Sequence, residues 1–409
     1  MNAVETIATG FASNWGLEPG LTFLNHGSFG ACPKAVLAVQ AEFRARLERD
    51  PARFMARDFE DLVDEARAVL AAFLGADEED LAFLHNATTA VSTVLRSISW
   101  HAGDEILITD NAYNACANAA REIAGTAGAH VAVASIPFPG TTADAVMDAV
   151  LSRVTPRTRL ALLDHITSPT ALVLPIERLI RELAARGVDT FVDGAHAPGQ
   201  VPLDLGTLGA AYYTGNCHKW LCAPKGAGFL WVERSRQATL RPLVVSHGAN
   251  SPRTDRSRFR LEFDWLGTDD PTAFLAVPAA LKFLGSLVAG GWPALRARNH
   301  ALVVEGRRVL CEALAVDSPC DEALLGSMAS IPLPDARGPR QLHSWGWDPL
   351  QERLRDDDRI DTIVNNWPAW PKRLLRLSAQ LYNEPADYAR LATALVAQLR
   401  RESADAPSS

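Results

Sequence analysis

Between residues 105 and 232, short apolar segments alternate regularly with helical patterns, and no other feature of this sequence constrains the fold as strongly. The predicted strands are 105–109, 130–136, 159–166, 189–192, 211–214 and 228–232. The predicted helices between the first four of them are 114–127, 143–154 and 175–186. Because strands that alternate with helices form βαβ units, the pattern predicts an α/β fold with a largely parallel sheet. The strands are almost continuously apolar, so we expect helices on both faces of the sheet.

The chain has 409 residues, which is too long for one ordinary core and predicts two domains. The pattern changes after about residue 270, where two long helices are predicted over 272–287 and 292–314. They are followed by predicted strands at 328–333, 360–364 and 373–380, a charged helix at 348–355 and a closing helix at 384–400. We therefore predict an N-terminal arm over residues 1–21, a large domain over 22–270 and a smaller α+β domain over 271–409. Part of the arm is expected to join the small domain.

Composition and charge exclude several classes of function. The formal net charge is -8 and no run of lysine or arginine stands out, which argues against a nucleic-acid-binding surface. The six cysteines are scattered and form no Cys-x-x-Cys pair, so neither a structural zinc site nor a disulfide framework is predicted. No secretory signal and no apolar stretch long enough to span a bilayer is found. We expect a cytoplasmic protein without a membrane partner.

Two polar residues follow or end apolar segments in the middle of this alternation. Lys219 comes shortly after a predicted strand, between His218 and Trp220, where partial desolvation is expected to lower the pKa of its amine. A neutral lysine can form a Schiff base with a carbonyl compound. Asp193 ends another apolar segment, where ligands of open α/β sheets bind. A carboxylate for the ring nitrogen and a lysine for the aldehyde are what pyridoxal 5′-phosphate requires, so this cofactor is predicted.

Other polar segments have a structural interpretation as well as a functional one. Thr88 precedes a helical pattern, where it either caps the helix or helps the helix N-terminus to cradle a phosphate. Arg376 suits bidentate binding of a carboxylate but also fits a charge on a surface strand. Arg53 and Arg57 either bind a distal carboxylate or begin a charged helix. His196 with Asp193 suggests a metal hydrolase, but no third metal ligand has suitable spacing.

Six segments together resemble the class V aminotransferase-fold enzymes, a group of fold-type I pyridoxal-phosphate enzymes. They are most similar to the isopenicillin N epimerase-like branch. These segments are Leu24–Gly30, Asn86–Val91, Val192–Gly199, Asn216–Trp220, Trp265–Asp269 and Arg376–Asn383. The resemblance runs from about Thr22 to Asn383. It implies a mainly parallel seven-stranded sheet in the large domain, with a smaller C-terminal α+β domain.

The resemblance implies roles for the residues around the cofactor ring. Lys219 would hold the cofactor aldehyde and later move protons, and Asp193 would pair with the ring nitrogen. His196 would lie near the phenolic oxygen of the ring. Tyr113 occupies the place where this family has an aromatic side chain stacked on pyridoxal.

The resemblance also implies a phosphate site that two subunits share. Thr88, the amide of Thr89, and His218 would bind the phosphate. Thr268 would reach the phosphate of the neighbouring subunit's cofactor, so a homodimer with a shared active site is expected.

On the substrate side, the resemblance implies that Arg376 binds the α-carboxylate and that Asn25 and His26 line the substrate entrance. Two departures from the desulfurase pattern are informative. Residues 361–373 contain no cysteine, and persulfide chemistry needs that thiolate, so a desulfurase is disfavoured. Asn216 replaces a small residue, which puts one phosphate contact in question.

Three reactions at the α-carbon of an amino acid stay open after the first proton is removed. Reprotonation on the other face would make the protein an epimerase or racemase, which is the preferred prediction. Loss of a β-substituent would make it a C–S lyase, and protonation of the cofactor carbon would make it an aminotransferase. A non-catalytic binding protein of the same fold is less favoured, because it would need neither Lys219 nor Asp193.

Overall fold

Seven strands build the central sheet of the protein, and three more build a second sheet. The computed structural model describes residues 10–337 and 347–404, so the first nine residues of the predicted arm and the last five of the chain lie outside the described residues. The strands are β1 (Thr22–Phe23), β2 (Leu81–Leu84), β3 (Glu105–Thr109), β4 (His130–Ala134), β5 (Thr158–Asp164), β6 (Asp189–Gly194), β7 (Tyr212–Asn216), β8 (Gly228–Val232), β9 (Met328–Leu333), β10 (Ile360–Asp361), β11 (Ile363–Asn365) and β12 (Arg373–Ser378).

Helices cover both faces of the central sheet and one side of the smaller sheet. They are α1 (His26–Phe29), α2 (Lys34–Arg49), α3 (Pro51–Arg53), α4 (Phe59–Leu74), α5 (Ala87–Ser97), α6 (Asn114–Ala127), α7 (Ala143–Leu151), α8 (Ile176–Ala184), α9 (Leu205–Leu208), α10 (Arg258–Phe263), α11 (Thr272–Leu275), α12 (Val277–Leu287), α13 (Gly291–Leu314), α14 (Pro349–Asp356) and α15 (Pro385–Ala404). A π-helical turn at Phe54–Asp58 joins α3 to α4.

The central sheet has the strand order β2-β8-β7-β6-β5-β3-β4. Its neighbouring strands from β7 to β4 are parallel, whereas β8 runs antiparallel to both β7 and β2. The strands β2, β3, β7 and β8 are buried along their whole length, as continuous apolar segments require when helices cover both faces. The prediction of a mainly parallel seven-stranded sheet is therefore confirmed.

The order of the strands creates a crevice at one edge of this sheet. The chain runs outward from β3 to β4 and then returns to place β5 on the other side of β3. Loops that leave the carboxyl ends of β3 and β5 therefore diverge, and ligands of open α/β sheets bind at such a switch point. Tyr113 follows β3, and Asp164 ends β5 directly beside Asp193 at the end of β6.

The smaller sheet is antiparallel with the order β11-β12-β9, and α13 packs against it. The segment β1 pairs in parallel with β10, so the chain before the large sheet is attached beside the smaller one. The domain boundary near residue 270 stays a prediction.

Two predicted elements are interrupted in the structure. The helix predicted over 272–287 is divided into α11 and α12, because Pro278 lacks the N–H that a continuous helix would need. The strand predicted over 360–364 is divided at Thr362, since β10 pairs with β1 whereas β11 pairs with β12.

Within the part of the chain that the structure describes, no single helix is long and apolar enough to cross a membrane. The segments Thr272–Leu287 and Gly291–Leu314 reach the necessary length and hydropathy only when taken together, and they are bent by 70°.

Candidate active site

The predicted lysine and aspartate lie at the carboxyl edge of the central sheet. Asp193 is in β6, and Lys219 is in the turn that follows β7. Two glycines with positive φ allow other backbone segments to approach this turn. A Cβ atom at Gly30 would lie 2.2 Å from the carbonyl oxygen of His218, and one at Gly199 would lie 2.7 Å from that of Trp220. The turn that carries Lys219 is therefore enclosed on two sides by backbone that only glycine permits.

The amine of Lys219 faces the ring of His196, with 3.2 Å between Nζ and Nε2. Its side chain keeps some solvent exposure, but burial lowers the pKa of Lys219 to about 8, and the cation of Arg376 contributes to the shift. The negative charge of Asp193 acts in the opposite direction. Burial also places the pKa of His196 well below its ordinary value, so the neutral imidazole is favoured. The site thus holds a lysine that gives up its proton more readily than a free one.

The carboxylate of Asp193 is buried and oriented by two donors. Its Oδ1 accepts a hydrogen bond from the amide of Ala195 at 2.9 Å, and its Oδ2 accepts one from the Cys116 thiol at 3.2 Å. Burial and the neighbouring carboxylate raise the pKa of the Cys116 thiol well above its usual range, so the sulfur stays protonated and can donate. Asp164 pairs in register with Asp193, and burial together with that charge raises its pKa strongly.

The N-terminus of α5 has one free amide in its first turn. The side chain of Asn86 accepts the amide of Thr89 at 2.9 Å, and that of Asn216 accepts the amide of Ala87 at 2.9 Å. Among the described residues no acceptor faces the amide of Thr88. The predicted phosphate contact through the Thr89 amide is already taken by Asn86, so Thr88 is the residue of this turn that can bind an anion with its main chain.

Asn216 and His218 fasten the lysine turn to its surroundings. Asn216, the departure noted in the sequence, connects the end of β7 to α5 through its bond to Ala87. His218 Nδ1 lies 2.8 Å from the carbonyl oxygen of Ala227, which can only accept, so Nδ1 carries the hydrogen and Nε2 is an acceptor. Burial lowers the pKa of His218 to about 4.

Arg376 is buried in β12 and contacts neutral acceptors. Its Nη1 donates to the carbonyl oxygen and to Oγ of Ser168 at 2.7 and 3.0 Å, and its Nη2 donates to Oγ of Ser28 at 3.0 Å. Among residues 10–337 and 347–404 no carboxylate lies within 4 Å of its guanidinium. Burial lowers the pKa of Arg376 to about 10. The alternative of a charge on a surface strand is therefore wrong, since the side chain is interior.

His26 lies behind the lysine and not at an open entrance. Its ring is fully buried, with Nδ1 2.7 Å from the hydroxyl of Tyr382 and Nε2 3.0 Å from the carbonyl oxygen of Lys219. Burial lowers the pKa of His26 to about 3. Asn25 is partly exposed and donates from Nδ2 to Asp361 at 3.1 Å. Of the two predicted entrance residues, only Asn25 has any accessible surface.

Tyr113 and Thr268 occupy exposed positions. Tyr113 is 47% exposed at the start of α6, and it is close enough to Asp193 and Arg376 for their charges to influence its pKa, which burial raises. Thr268 lies in an exposed turn and lines a cavity of about 300 Å³ that Thr89 also lines. The structure therefore brings Tyr113 to the predicted ring site, whereas Thr268 faces outward.

The pair Arg53 and Arg57 lies at the π-helical turn before α4. Arg53 is 3.7 Å from Asp58, and exposed Arg57 lines a second cavity of about 660 Å³ with Thr268. The positions thus fit a charged helix start, and a role in carboxylate binding stays a prediction. Within the described ranges no group of three histidine, cysteine or acidic side chains could hold a metal.

Sequence reasoning missed four residues that contact the predicted site: Cys116, Asp164, Ser28 and Ser168. Cys116 lies one helical turn after Tyr113, and this spacing could have identified it. Asp164 follows an apolar segment in the sequence, as Asp193 does, and this similarity could have identified it. The serines have no such pattern, since they reach Arg376 across 348 and 208 residues of sequence.

The residues present fit pyridoxal phosphate. The ring nitrogen Nδ1 of His196 is buried and has no hydrogen-bond partner among the described residues. The amide of Thr88 is also free among the described residues, and Lys219 has a lowered pKa. A buried polar atom without a partner is costly, so a bound group that supplies partners would stabilise this edge of the sheet.

Comparison with known proteins gives a consistent assignment. Residues 28–307 match the family model described as aminotransferase class-V. Isopenicillin N epimerase from Amycolatopsis lactamdurans is 38% identical over 93% of this chain and 95% of its own length. A probable chloroplastic L-cysteine desulfhydrase from Arabidopsis thaliana is 31% identical over 92% of this chain and 83% of its own.

A solved structure of C-DES, in a mutant form with glycine covalently linked to the PLP cofactor, has the same fold. It superposes with a TM-score of 0.79 at 22% identity, over 95% of this chain and 99% of that one. The predicted resemblance to the class V aminotransferase fold and to its isopenicillin N epimerase-like branch is confirmed. The chain belongs to the aminotransferase class-V family, and pyridoxal 5′-phosphate is its cofactor.

Proposed function

We propose that this protein acts at the α-carbon of an amino acid as an isopenicillin N epimerase-like epimerase or racemase. The observation that carries the proposal is a buried Arg376 that has no carboxylate partner among the described residues and lies close enough to Lys219 to lower its pKa. A guanidinium that has lost water and gained only neutral acceptors favours an incoming carboxylate. The 38% identity to an isopenicillin N epimerase over nearly the whole chain supports the reaction type.

The chain's own residues perform the binding and the first proton transfer. Arg376 binds the substrate α-carboxylate and so orients the α-carbon. Lys219 removes the α-proton with its neutral amine, and the ring of His196 holds the amine in place at 3.2 Å. Bound pyridoxal phosphate supplies an aldehyde for the substrate amine and a ring that delocalises the charge left at the α-carbon. Asp193, oriented by Cys116, would pair with the ring nitrogen of the bound cofactor.

A β-eliminating C–S lyase is the second candidate function. Relatives at 28–31% identity are named L-cysteine desulfhydrases, and such a reaction needs no second proton donor on the opposite face of the substrate. An aminotransferase is the third. The segment 361–373 contains no cysteine, and because persulfide chemistry needs a thiolate, this does not favour a desulfurase.

A substrate screen in deuterated water tests the reaction. We expect α-deuterium exchange with inversion for an epimerase. Release of pyruvate, ammonia and a thiol would instead establish the lyase, and keto-acid formation that depends on an acceptor would establish the aminotransferase. A protein that catalyses none of these with any of the common amino acids, although it is fully loaded with cofactor, would overturn the proposal.

Borohydride reduction followed by peptide mapping tests the lysine itself. We expect the reduced cofactor on the peptide that contains Lys219. Lys225 is the matched control, because it is a second lysine only six residues further along the chain and it donates to the carbonyl oxygen of Gly30 at 2.9 Å. Attachment that persists in Lys219→Ala and is lost in Lys225→Ala would show that the lysine was assigned incorrectly.

We also propose a homodimer with an active site shared across the interface. Exposed Thr268 lines one cavity together with the exposed apolar residues Leu243 and Val244, Val245 is exposed next to them in the chain, and such an apolar patch favours a protein contact. Light scattering after size exclusion should give twice the chain mass of 44.2 kDa. A monomer that keeps full activity would contradict this part of the proposal.

A further inference from the structure

We propose that α1 is a positioning element that joins the carboxylate-binding arginine to the catalytic lysine, and that Ser28 orients Arg376 for the substrate carboxylate. The inference rests on the proposed role of Arg376 in binding that carboxylate. It gives a function to the segment Leu24–Gly30, which the reaction described above does not otherwise use.

The four residues of α1 contact both functional groups. At one end, Nε2 of His26 lies 3.0 Å from the carbonyl oxygen of Lys219. Two residues later, Oγ of Ser28 accepts from Nη2 of Arg376 at 3.0 Å. The main-chain amide of His26 also donates to Oγ of Ser378 in β12, two residues beyond Arg376. A shift of α1 would therefore move the lysine turn and the guanidinium relative to each other.

The glycines of this segment keep α1 in close contact with its neighbours. A Cβ atom at Gly27 would lie 2.4 Å from the sulfur of Met328 and 3.6 Å from Nη2 of Arg376. At Gly30, φ is +69°, and a Cβ atom would collide with the backbone of His218. Gly27 and Gly30 are thus both needed, because Met328 and the backbone of His218 approach them closely, and this tight packing limits how far α1 can move.

The hydroxyl of Ser28 has a defined direction. It has a single hydrogen, and it donates that hydrogen to Oδ1 of Asn25 at 2.5 Å, so its lone pairs are left to face Arg376. The orientation of the Asn25 amide is fixed in turn, because its Nδ2 donates to Oδ1 of Asp361 at 3.1 Å. Arg355 holds the other oxygen of Asp361 at 3.2 Å. Toward Arg376, the hydroxyl of Ser28 can therefore only accept a hydrogen bond.

The guanidinium of Arg376 keeps two N–H donors free for a ligand. A guanidinium has five N–H donors, and Arg376 uses two at Nη1 for Ser168 and one at Nη2 for Ser28. The Nε–H and the second hydrogen of Nη2 are left. Two adjacent donors are what one carboxylate accepts in a bidentate pair. Without Ser28 only the two hydrogen bonds to Ser168 hold the rigid guanidinium, so the free pair of donors is held less firmly in one orientation.

The test compares one amino acid with the amine that lacks its carboxylate. Dissociation constants of L-alanine and of ethylamine are measured by absorbance titration of the cofactor-loaded protein. In Ser28→Ala we expect the dissociation constant of L-alanine to rise about tenfold, the usual effect of one hydrogen bond to a charged group. That of ethylamine should not change. Ser286→Ala is the matched control, because its exposed hydroxyl contacts only Phe283 in its own helix.

Further variants separate a failure of this inference from a failure of the proposed function. Arg376→Gln should weaken L-alanine binding more strongly than Ser28→Ala, and the double variant should add little to it. If Arg376→Gln has no effect, carboxylate binding by Arg376 is wrong. If Arg376→Gln weakens L-alanine and Ser28→Ala does not, only the role of Ser28 is wrong. Should Ser28→Ala fold poorly, Ser28→Cys, which is a weaker acceptor of similar size, is measured instead, with the same selective loss for L-alanine expected.

Discussion

Two arginines on strand β12 differ in their surroundings although they are three residues apart and equally buried. Arg373 is 2% exposed and Arg376 is 3% exposed. Arg373 contacts the carboxylates of Asp348 at 3.1 Å and of Glu402, whereas Arg376 contacts serine oxygens. A buried cation that already has carboxylate partners stabilises the fold, and one that lacks them is available to a ligand. The partners of a buried arginine, and not its burial, indicate its role.

The largest effect is expected from Arg373→Gln, which should lower the free energy of unfolding. Removal of one partner leaves Asp348 buried without its cation, and burial already raises the pKa of that carboxyl. We expect the free energy of unfolding to fall by about 3–5 kcal/mol, as measured by urea denaturation. Affinity for L-alanine in the folded protein should stay within about twofold of wild type. A loss below about 1 kcal/mol would remove the distinction between the two arginines.

Arg376→Gln should show the opposite pattern. No carboxylate depends on this arginine among the described residues, so the free energy of unfolding should stay within about 1 kcal/mol of wild type or increase. The dissociation constant of L-alanine should rise about a hundredfold, since a buried charge-assisted pair contributes about 2–5 kcal/mol. Equal losses of stability in both variants would mean that Arg376 is structural.

The pH dependence of cofactor capture should distinguish the same two positions. Because the pKa of Lys219 is lowered to about 8, its neutral amine is present from about pH 8 upward, and not only near the ordinary value of 10.5. The rate at which the apoprotein captures pyridoxal phosphate should therefore rise with pH and reach half of its maximum at about pH 8. The cation of Arg376 helps to lower that pKa, so Arg376→Gln should move the midpoint upward. Arg373→Gln should leave it in place, and a shift in both variants would contradict this account.

The smallest effect is expected at Cys116, whose thiol donates to Asp193. Cys116→Ala removes a weak donor to Asp193, and one hydrogen bond of this kind contributes about 1 kcal/mol, so kcat should fall about fivefold. Cys116→Ser keeps a donor and should restore the rate. Cys217→Ala is the control, because this thiol is also buried and makes no hydrogen bond to a predicted site residue among the described residues. The affinity for L-alanine should be unchanged in all three, and a change in it would couple Cys116 to the arginine side.

The sheet edge that carries Lys219 and Asp193 could be predicted from the sequence. The bounds of β3, β8 and β9 agree with the predicted segments, because continuous apolar segments bordered by turn residues have few alternatives. In a parallel sheet the carboxyl ends of neighbouring strands meet at one edge, so a residue that ends one strand lies near a residue that follows the next. The approach of Asp193 to the turn of Lys219 follows from this rule alone.

The arginine side of the site could not be predicted in the same way. Ser28 and Ser168 meet Arg376 from two distant parts of the chain, and neither serine lies in a pattern that local periodicity explains. His26 was expected at a substrate entrance, but the packing of Gly30 against the lysine turn buries it behind Lys219. Such contacts depend on how the segment before the large sheet is attached beside the small one, through β1 and β10.

The sequence by itself determined the layered α/β architecture, the lysine and aspartate pair and hence the cofactor, because periodicity and strand ends are local properties of a chain. Only the tertiary structure decided which of the two buried arginines of β12 is free for a carboxylate. Both have the same local setting, and they differ in partners that come from α15 and the segment before α14 in one case, and from α1 and the loop after β5 in the other. A buried charge is compensated by the groups that long-range packing brings within about 4 Å of it, and these groups cannot be identified from the neighbouring residues in the sequence.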